Sequence, residues 1–209
     1  MNLDKATLYD WDGMNETIFK AINGFHTEIY DSFMILISQL ADKHNAPYYL
    51  AALAVWVSIN FLIKKIRSGS DANHYMVIWF GVFLVLIASL VIDREVVKMT
   101  KENFSYPRPI AALGPWNVAL LDTGREEKDN YFSFPSGHVS LVTVFVVALS
   151  PVLSEFMLSL GILLIPLTAL SRIAVGRHFP ADVLGGFLIS LIITLLVRAL
   201  IRRVLRIRC

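Results

Sequence analysis

Five apolar runs decide what this chain can fold into. They cover Ala46 to Ile63, Tyr75 to Ile92, Val139 to Leu153, Phe156 to Ile173 and Pro180 to Ile201. Each approaches the roughly 20 residues that carry a helix across a hydrocarbon core. A soluble domain of 209 residues could not hide so much apolar surface. Hydrophobic residues make up 56% and charged residues 17%, against about 45–50% and about 25% in globular domains. Mean hydropathy is +0.58. The expected solvent is lipid. One more pattern, Phe19 to Ala41, is broken by Asn23, Gly24, His26, Glu28 and Asp31. From Ile29 its polar residues gather on one side, which predicts a short or partly interfacial helix. The sequence thus predicts an all-α fold: an integral membrane six-helix bundle, one domain over residues 1–209, with helix four beginning at Val139.

Charge gives the orientation. Lys64, Lys65 and Arg67 close the second helix, and the last stretch of the chain carries Arg198, Arg202, Arg203, Arg206 and Arg208 with no acid among them. If the helices alternate, both basic flanks fall on one side, and basic flanks mark the cytoplasmic side. The Asp93–Gly137 connection and the short turn around His178 then share the opposite face, outside the cytoplasmic (inner) membrane. That connection also carries Arg94, Lys98, Lys101, Arg108, Arg125 and Lys128, which pulls against the rule unless some of these bases have another task. A basic tail after an apolar run points to a membrane flank and away from nucleic acid. The single cysteine, Cys209, excludes an internal disulfide framework and a cysteine-based zinc site.

Three clusters near helix ends carry the chemistry: Lys101 to Pro109, Phe134 to His138, and Ser171 to Asp182. Together they describe an anion site. Arg108 and Arg172 can clamp phosphate oxygens in bidentate fashion, and Lys101 adds a point charge. Ser136 and Gly137 precede a helix, so Ser136 can cap it while backbone N–H groups face an oxyanion. Pro180 suits a first helical turn, placing His178 just before the helix and Asp182 within that turn. A carboxylate there can fix the imidazole tautomer and stabilise the cation formed in reaction. His178 is therefore the better nucleophile. His138, with no carboxylate near it in sequence, is available to protonate a leaving oxygen. Covalent transfer to His178 divides cleavage of a phosphate ester into two displacements.

The same residues resemble the type 2 phosphatidic acid phosphatase superfamily of membrane lipid phosphatases, whose pattern is K-x6-R-P, then P-S-G-H, then S-R-x5-H-x3-D. Lys101, Arg108, Pro109, Pro135, Ser136, Gly137, His138, Ser171, Arg172, His178 and Asp182 match it in order. The likeness covers about residues 75–200 and the six-helix plan. It implies a metal-independent phosphohydrolase needing no cofactor, with His178 as nucleophile, Asp182 as its orienter and His138 as general acid. Lys101, Arg108, Arg172, Ser136 and Gly137 would bind the phosphoryl group. The implied partner is a lipid phosphate or diphosphate in the bilayer. The segment INGFHTEIYDSFMILISQL also looks like the opening of the bacterial undecaprenyl-diphosphate phosphatases of this superfamily.

Other residues have plainer readings. His26, His44 and His74 read as interfacial histidines, and Tyr48, Tyr49, Trp56, Trp79 and Trp116 as interface or packing aromatics. Arg94, Lys98 and Lys101 share one helical face, where they either contact a second phosphate or form a headgroup-facing stripe. Arg177 reads equally as a substrate contact or a loop ion pair. Two other functions use the same scaffold: a phosphotransferase passing the His178 phosphoryl group to another lipid, and a non-catalytic membrane protein with an anion site. Vanadium haloperoxidases share the pocket pattern, but they are soluble.

Overall fold

The structure, a computed structural model, describes residues 9–67, 69–121 and 130–205. Arg125, Lys128, Arg206, Arg208 and Cys209 lie outside them. The described residues form α1 (Met14–Asn23), α2 (Glu28–Leu40), α3 (Ala46–Arg67), α4 (Gly69–Phe104), α5 (Pro109–Leu113), α6 (Gly137–Leu149), α7 (Glu155–Ala174) and α8 (Pro180–Leu205). The six expected helices are α2, α3, α4, α6, α7 and α8; α1 and α5 are short additions. By length and composition α3, α4, α7 and α8 can each cross a membrane.

The broken pattern from Phe19 to Ala41 is two helices. Gly24 ends α1 by sending its N–H to the Lys20 carbonyl (2.9 Å), and Thr27 caps α2 by accepting from the Tyr30 N–H (3.2 Å). At 13 residues, α2 is about 20 Å long, short of the roughly 30 Å core. The α4 helix is the opposite case. Its 36 residues extend about 54 Å, well past the end of the Tyr75–Ile92 run within it, and carry Lys101 beyond that run. Continuation through Asp93 and Arg94 is possible because backbone bonds within a helix satisfy themselves. The α6 helix stops at Leu149, ahead of the expected Leu153, because Pro151 cannot donate to the Val147 carbonyl. Pro166 lies inside α7 without ending it.

The centre of the bundle is α6, buried on nearly every side between α4, α7 and α8. Lipid chains are as apolar as leucine, so packing and polar contacts hold membrane helices together. Here the polar contact is Asp93 on α4. Its carboxylate accepts hydrogen bonds from Ser140 on α6 and from Ser190 on α8 (2.6 Å), and the two serine hydroxyl oxygens lie 2.7 Å apart. Each interhelical bond of this kind contributes about 0.6–2 kcal/mol. Around it, Val85, Leu86, Val144, Ala148 and Val197 close the apolar contact.

Successive spans run antiparallel. The N-termini of α3, α6 and α8 therefore meet the C-termini of α2, α4 and α7 at one end of the bundle. Lys64, Lys65 and Arg67, with Arg202 and Arg203, end their helices at the other.

Candidate active site

His178 owes its position to the way α7 ends. Gly176 takes a positive φ of 78°, which glycine adopts without a Cβ penalty. A Cβ there would also lie 2.6 Å from the Ala119 carbonyl. Past it the chain folds back, and the N–H groups of Arg177 and His178 both reach the Arg172 carbonyl (3.1 and 3.2 Å). Pro180 then starts α8 at once, as its fixed φ favours. The turn packs on Phe19, Val118, Val139, Ile173 and Phe179, leaving His178 2% exposed.

Asp182 is fully buried and well supplied with donors. Its Oδ2 lies 3.3 Å from His178 Nδ1, and accepts from the Phe179 N–H (2.8 Å) and the Ser133 hydroxyl (2.5 Å). Its Oδ1 accepts from the Tyr9 hydroxyl (2.8 Å). With Nδ1 turned to this carboxylate, Nε2 is the nitrogen left for the cavity that His178 lines. Burial, followed by the charges of Arg108, Arg172 and Lys101, holds the His178 imidazole well below the usual histidine range. It is neutral at neutral pH and able to act as a nucleophile.

His138 sits in the first turn of α6, also buried. Its Nε2 lies 3.4 Å from Asp42 Oδ2, on the segment joining α2 to α3. Lys101 Nζ donates to the carbonyls of Phe132 (2.7 Å) and Ser133 (3.3 Å), and Arg108 Nη1 to the Arg177 carbonyl (3.1 Å). Both cations, both histidines and Gly137 line a single cavity of about 890 Å³. Lys43, Arg94 and Lys98 line it too, while Pro47, Leu50, Leu90, Val91, Val97 and Leu141 give it an apolar side.

Two expected phosphate contacts lie behind this wall. Arg172 is fully buried, donates to Ser38 on α2, and shapes the His178 turn through its carbonyl. Ser136 does not cap α6 through its side chain. Its N–H is committed to the Asp182 carbonyl (2.9 Å), and its hydroxyl is buried without a partner among the described residues. The helix N-terminus is thus offered to the cavity by Gly137 and His138, whose N–H groups have no partner within the helix. Arg177 is buried and off the cavity lining, holding Arg108 through its carbonyl. His44 stands at the cavity with Asp42, whereas His26 pairs with Asp31 away from it. Trp79 packs in the core beside Trp56, and Trp116 is 96% exposed.

Several residues around the site have no local signal in the sequence. Tyr9, Asn15 and Asn23 reach it from the N-terminal segment: Asn15 Oδ1 accepts from the Ala181 N–H (2.9 Å), and Asn23 donates to the carbonyls of Ala119 and Ala174 (2.8 and 2.9 Å). Ser133 and Asp42 come from connecting segments. Asp93 did carry a signal, a carboxylate directly after an apolar run, where burial at membrane depth is a mark of function or helix pairing.

A phosphate between Lys101 and Arg108 would meet both histidines at the head of an apolar groove, and an antiparallel helical bundle carrying such a groove defines an integral membrane phosphatase. The comparisons place it more closely. The family model for the PAP2 superfamily matches residues 78–206, more than half of the chain, and the chain belongs to that superfamily. It is 32% identical over 185 residues to undecaprenyl-diphosphatase BcrC of Bacillus subtilis, covering 86% of this chain and 80% of that one. It is 28% identical over 178 residues to an undecaprenyl-diphosphatase of Sulfolobus acidocaldarius, covering 85% and 74%. A solved structure with the same fold is the first transmembrane PAP2 type phosphatidylglycerolphosphate phosphatase from Bacillus subtilis. It matches with a TM-score of 0.62 and 24% identity, over 99% of this chain and 91% of that chain.

Proposed function

We propose that this protein removes the terminal phosphate of a polyprenyl diphosphate or phospholipid phosphate at the outer face of the cytoplasmic membrane, through a phosphohistidine on His178. The observation that carries this reading is the shared cavity, where two fixed cations and two histidines adjoin an apolar wall on α3, α4 and α6. A lipid chain fits the wall and a phosphoryl group fits the cations. The undecaprenyl-diphosphatases among its relatives fit the first substrate class. The further cations Lys43, Arg94 and Lys98 on the same cavity favour a diphosphate within it.

The chemistry runs in two displacements. His178 Nε2 attacks phosphorus, the bond from phosphorus to the leaving oxygen breaks, and His138 gives that oxygen its proton. Water then attacks the phosphohistidine and gives a proton back to His138; the P–N bond breaks, returning inorganic phosphate and neutral His178. Asp182 orients His178 and balances its charge while the phosphohistidine stands. Lys101, Arg108 and the α6 N-terminus hold the phosphoryl oxygens as charge develops on them, with Arg172 and Ser136 supporting the turns behind.

A phosphate-release panel tests the reading. Purified protein in detergent is given undecaprenyl diphosphate, phosphatidylglycerol phosphate, phosphatidic acid and lipid A phosphates, beside His178→Ala. Release from at least one lipid, abolished in the variant, is expected; equal release by the variant contradicts the assignment. Sidedness has its own test. In a Cys209→Ser background, Trp116→Cys is expected to react with an impermeant thiol reagent on intact cells and Ile66→Cys is not. The reverse pattern would place the site on the cytosolic face.

A further inference from the structure

His138 and His178 have opposite tasks in the reading above, yet they share one cationic cavity. A nucleophile must start neutral and a general acid must start protonated. Lys101 and Arg108 line the cavity with both histidines, Arg172 lies behind it, and Lys43, Arg94 and Lys98 add charge from the α2–α3 segment and from α4. This surplus suits a neutral His178 and opposes a protonated His138. Something must separate the two.

Asp42 has the position to do so. Its Oδ1 accepts the His44 N–H (2.9 Å), capping the short 3-10 turn Lys43–Asn45 and fixing the carboxylate. Its Oδ2 is turned to His138 Nε2 at 3.4 Å. The arrangement repeats that of Asp182, which is anchored by the Phe179 N–H and turned to His178 Nδ1. The two carboxylates differ in commitments. Asp182 shares its charge with Tyr9 and Ser133, while Asp42 has His44, an exposed histidine, at 2.6 Å beside His138. Other acids face the cavity from α4: Asp93, held by Ser140 and Ser190, and Glu102.

We propose that Asp42 is the positioning residue of His138: it keeps the imidazole protonated in a cationic site and aims it at the leaving oxygen. The proposal rests on the assignment of His138 as general acid. The proton passes to the leaving oxygen from the nitrogen that Asp42 does not hold, and the same nitrogen later takes the proton of the attacking water. The Nε2–H of His138 stays on Asp42 throughout, and Asp42 itself neither gains nor loses a proton. The contact also accounts for the low pKa of the Asp42 carboxyl, whose first cause is the hydrogen bond from His138. Asp42 lies outside residues 78–206, the stretch that the superfamily match covers.

The test is Asp42→Asn, which keeps the shape and the cap on His44, with Asp42→Glu as a charge-restoring variant. Rates are followed across pH on a lipid monophosphate, whose alkoxide needs a proton to leave, and on p-nitrophenyl phosphate, whose phenolate does not. An opposite charge at this distance shifts a titration by about 1–3 pH units. The alkaline limb of kcat on the lipid should therefore move down by about one pH unit or more in Asp42→Asn and return in Asp42→Glu. The loss at neutral pH should be about tenfold on the lipid and at least about fivefold smaller on the aryl phosphate. In a His138→Ala background Asp42→Asn should add nothing. An unmoved alkaline limb, equal losses on both substrates, or additive losses with His138→Ala overturn the proposal. If His138→Ala alone leaves lipid turnover intact, the fault lies with the general-acid assignment itself.

Discussion

Tyr9 donates a hydrogen bond of 2.8 Å to Asp182, from 173 residues away in the chain. Its ring stacks on Tyr106 at a centroid distance of 4.0 Å and meets Phe134 and Phe179 edge-on. Burial and the neighbouring Asp182 charge push its phenol far above the usual range, so it stays a donor at every working pH. With Asn15 and Asn23 it makes the N-terminal segment a clasp on the His178 turn. The carboxylate beside His178 is thus itself oriented from outside the motif-bearing helices.

Tyr9→Phe isolates that hydroxyl, because phenylalanine keeps the ring contacts. A hydrogen bond to a charged group is worth about 1.5–3 kcal/mol, and about 1.4 kcal/mol corresponds to tenfold in rate. We expect kcat to fall about tenfold with KM nearly unchanged, since the bond supports the nucleophile and not the lipid. An intact kcat with a raised KM would place Tyr9 on the substrate path instead.

The acid limb of kcat/KM should report His178. Only the neutral imidazole attacks, so activity falls as pH drops through its pKa in the free enzyme. Burial and the charges of Arg108, Arg172 and Lys101 hold that pKa well below 6.5, so the limb should lie below 6.5 and neutral pH should fall on the plateau. Arg108→Gln removes one of these charges; its limb should move upward while KM for the phosphate rises. A pH profile on p-nitrophenyl phosphate checks both. A wild-type limb at or above 6.5 would mean that the bases do not act on His178 as described.

Chelation should leave turnover unchanged. The cations proposed to hold the phosphoryl group are side chains fixed by backbone carbonyls, Lys101 by Phe132 and Ser133 and Arg108 by Arg177, and they can do the charge stabilisation themselves. Phosphate release is measured with and without excess EDTA. A complete loss restored by magnesium would contradict this.

The sequence and the structure agree where the physics is local. Apolar length marks α3, α4, α7 and α8, and the Pro180–Asp182 spacing places the carboxylate one helical turn from His178. Contacts between distant segments left no such mark. Nothing in the run around Asp42 announces a partner on α6, and nothing around Tyr9 announces Asp182. Ser136 shows the limit of a local rule: its position before α6 suits a cap, yet its N–H goes to α8 and its hydroxyl is buried. Arg172 fits the phosphate-clamp chemistry by residue type; one guanidinium nitrogen donates to Ser38, its charge acts on His178, and its carbonyl holds the turn before α8.

The contact of Ser136 with α8 gives the sharpest steric test. A Cβ on Gly186 would stand 2.5 Å from the Ser136 carbonyl oxygen, a backbone atom that cannot swing aside. Because the Ser136 N–H is bonded to the Asp182 carbonyl, pushing α8 away from this segment separates the start of α6 from the carboxylate behind His178. Gly161 on α7 offers the control: the nearest atoms to its added Cβ are the Val146 methyls, at 3.2 Å, and a methyl can yield by a few tenths of an ångström. Overpacking of a tight contact costs about 1–3 kcal/mol. Gly186→Ala should therefore lower the melting temperature in detergent and remove most turnover on both lipid and aryl substrates. Gly161→Ala should keep most of its activity and melt close to the parent. Full activity in Gly186→Ala would mean that the α6 start and α8 are free to part without disturbing His138 and His178.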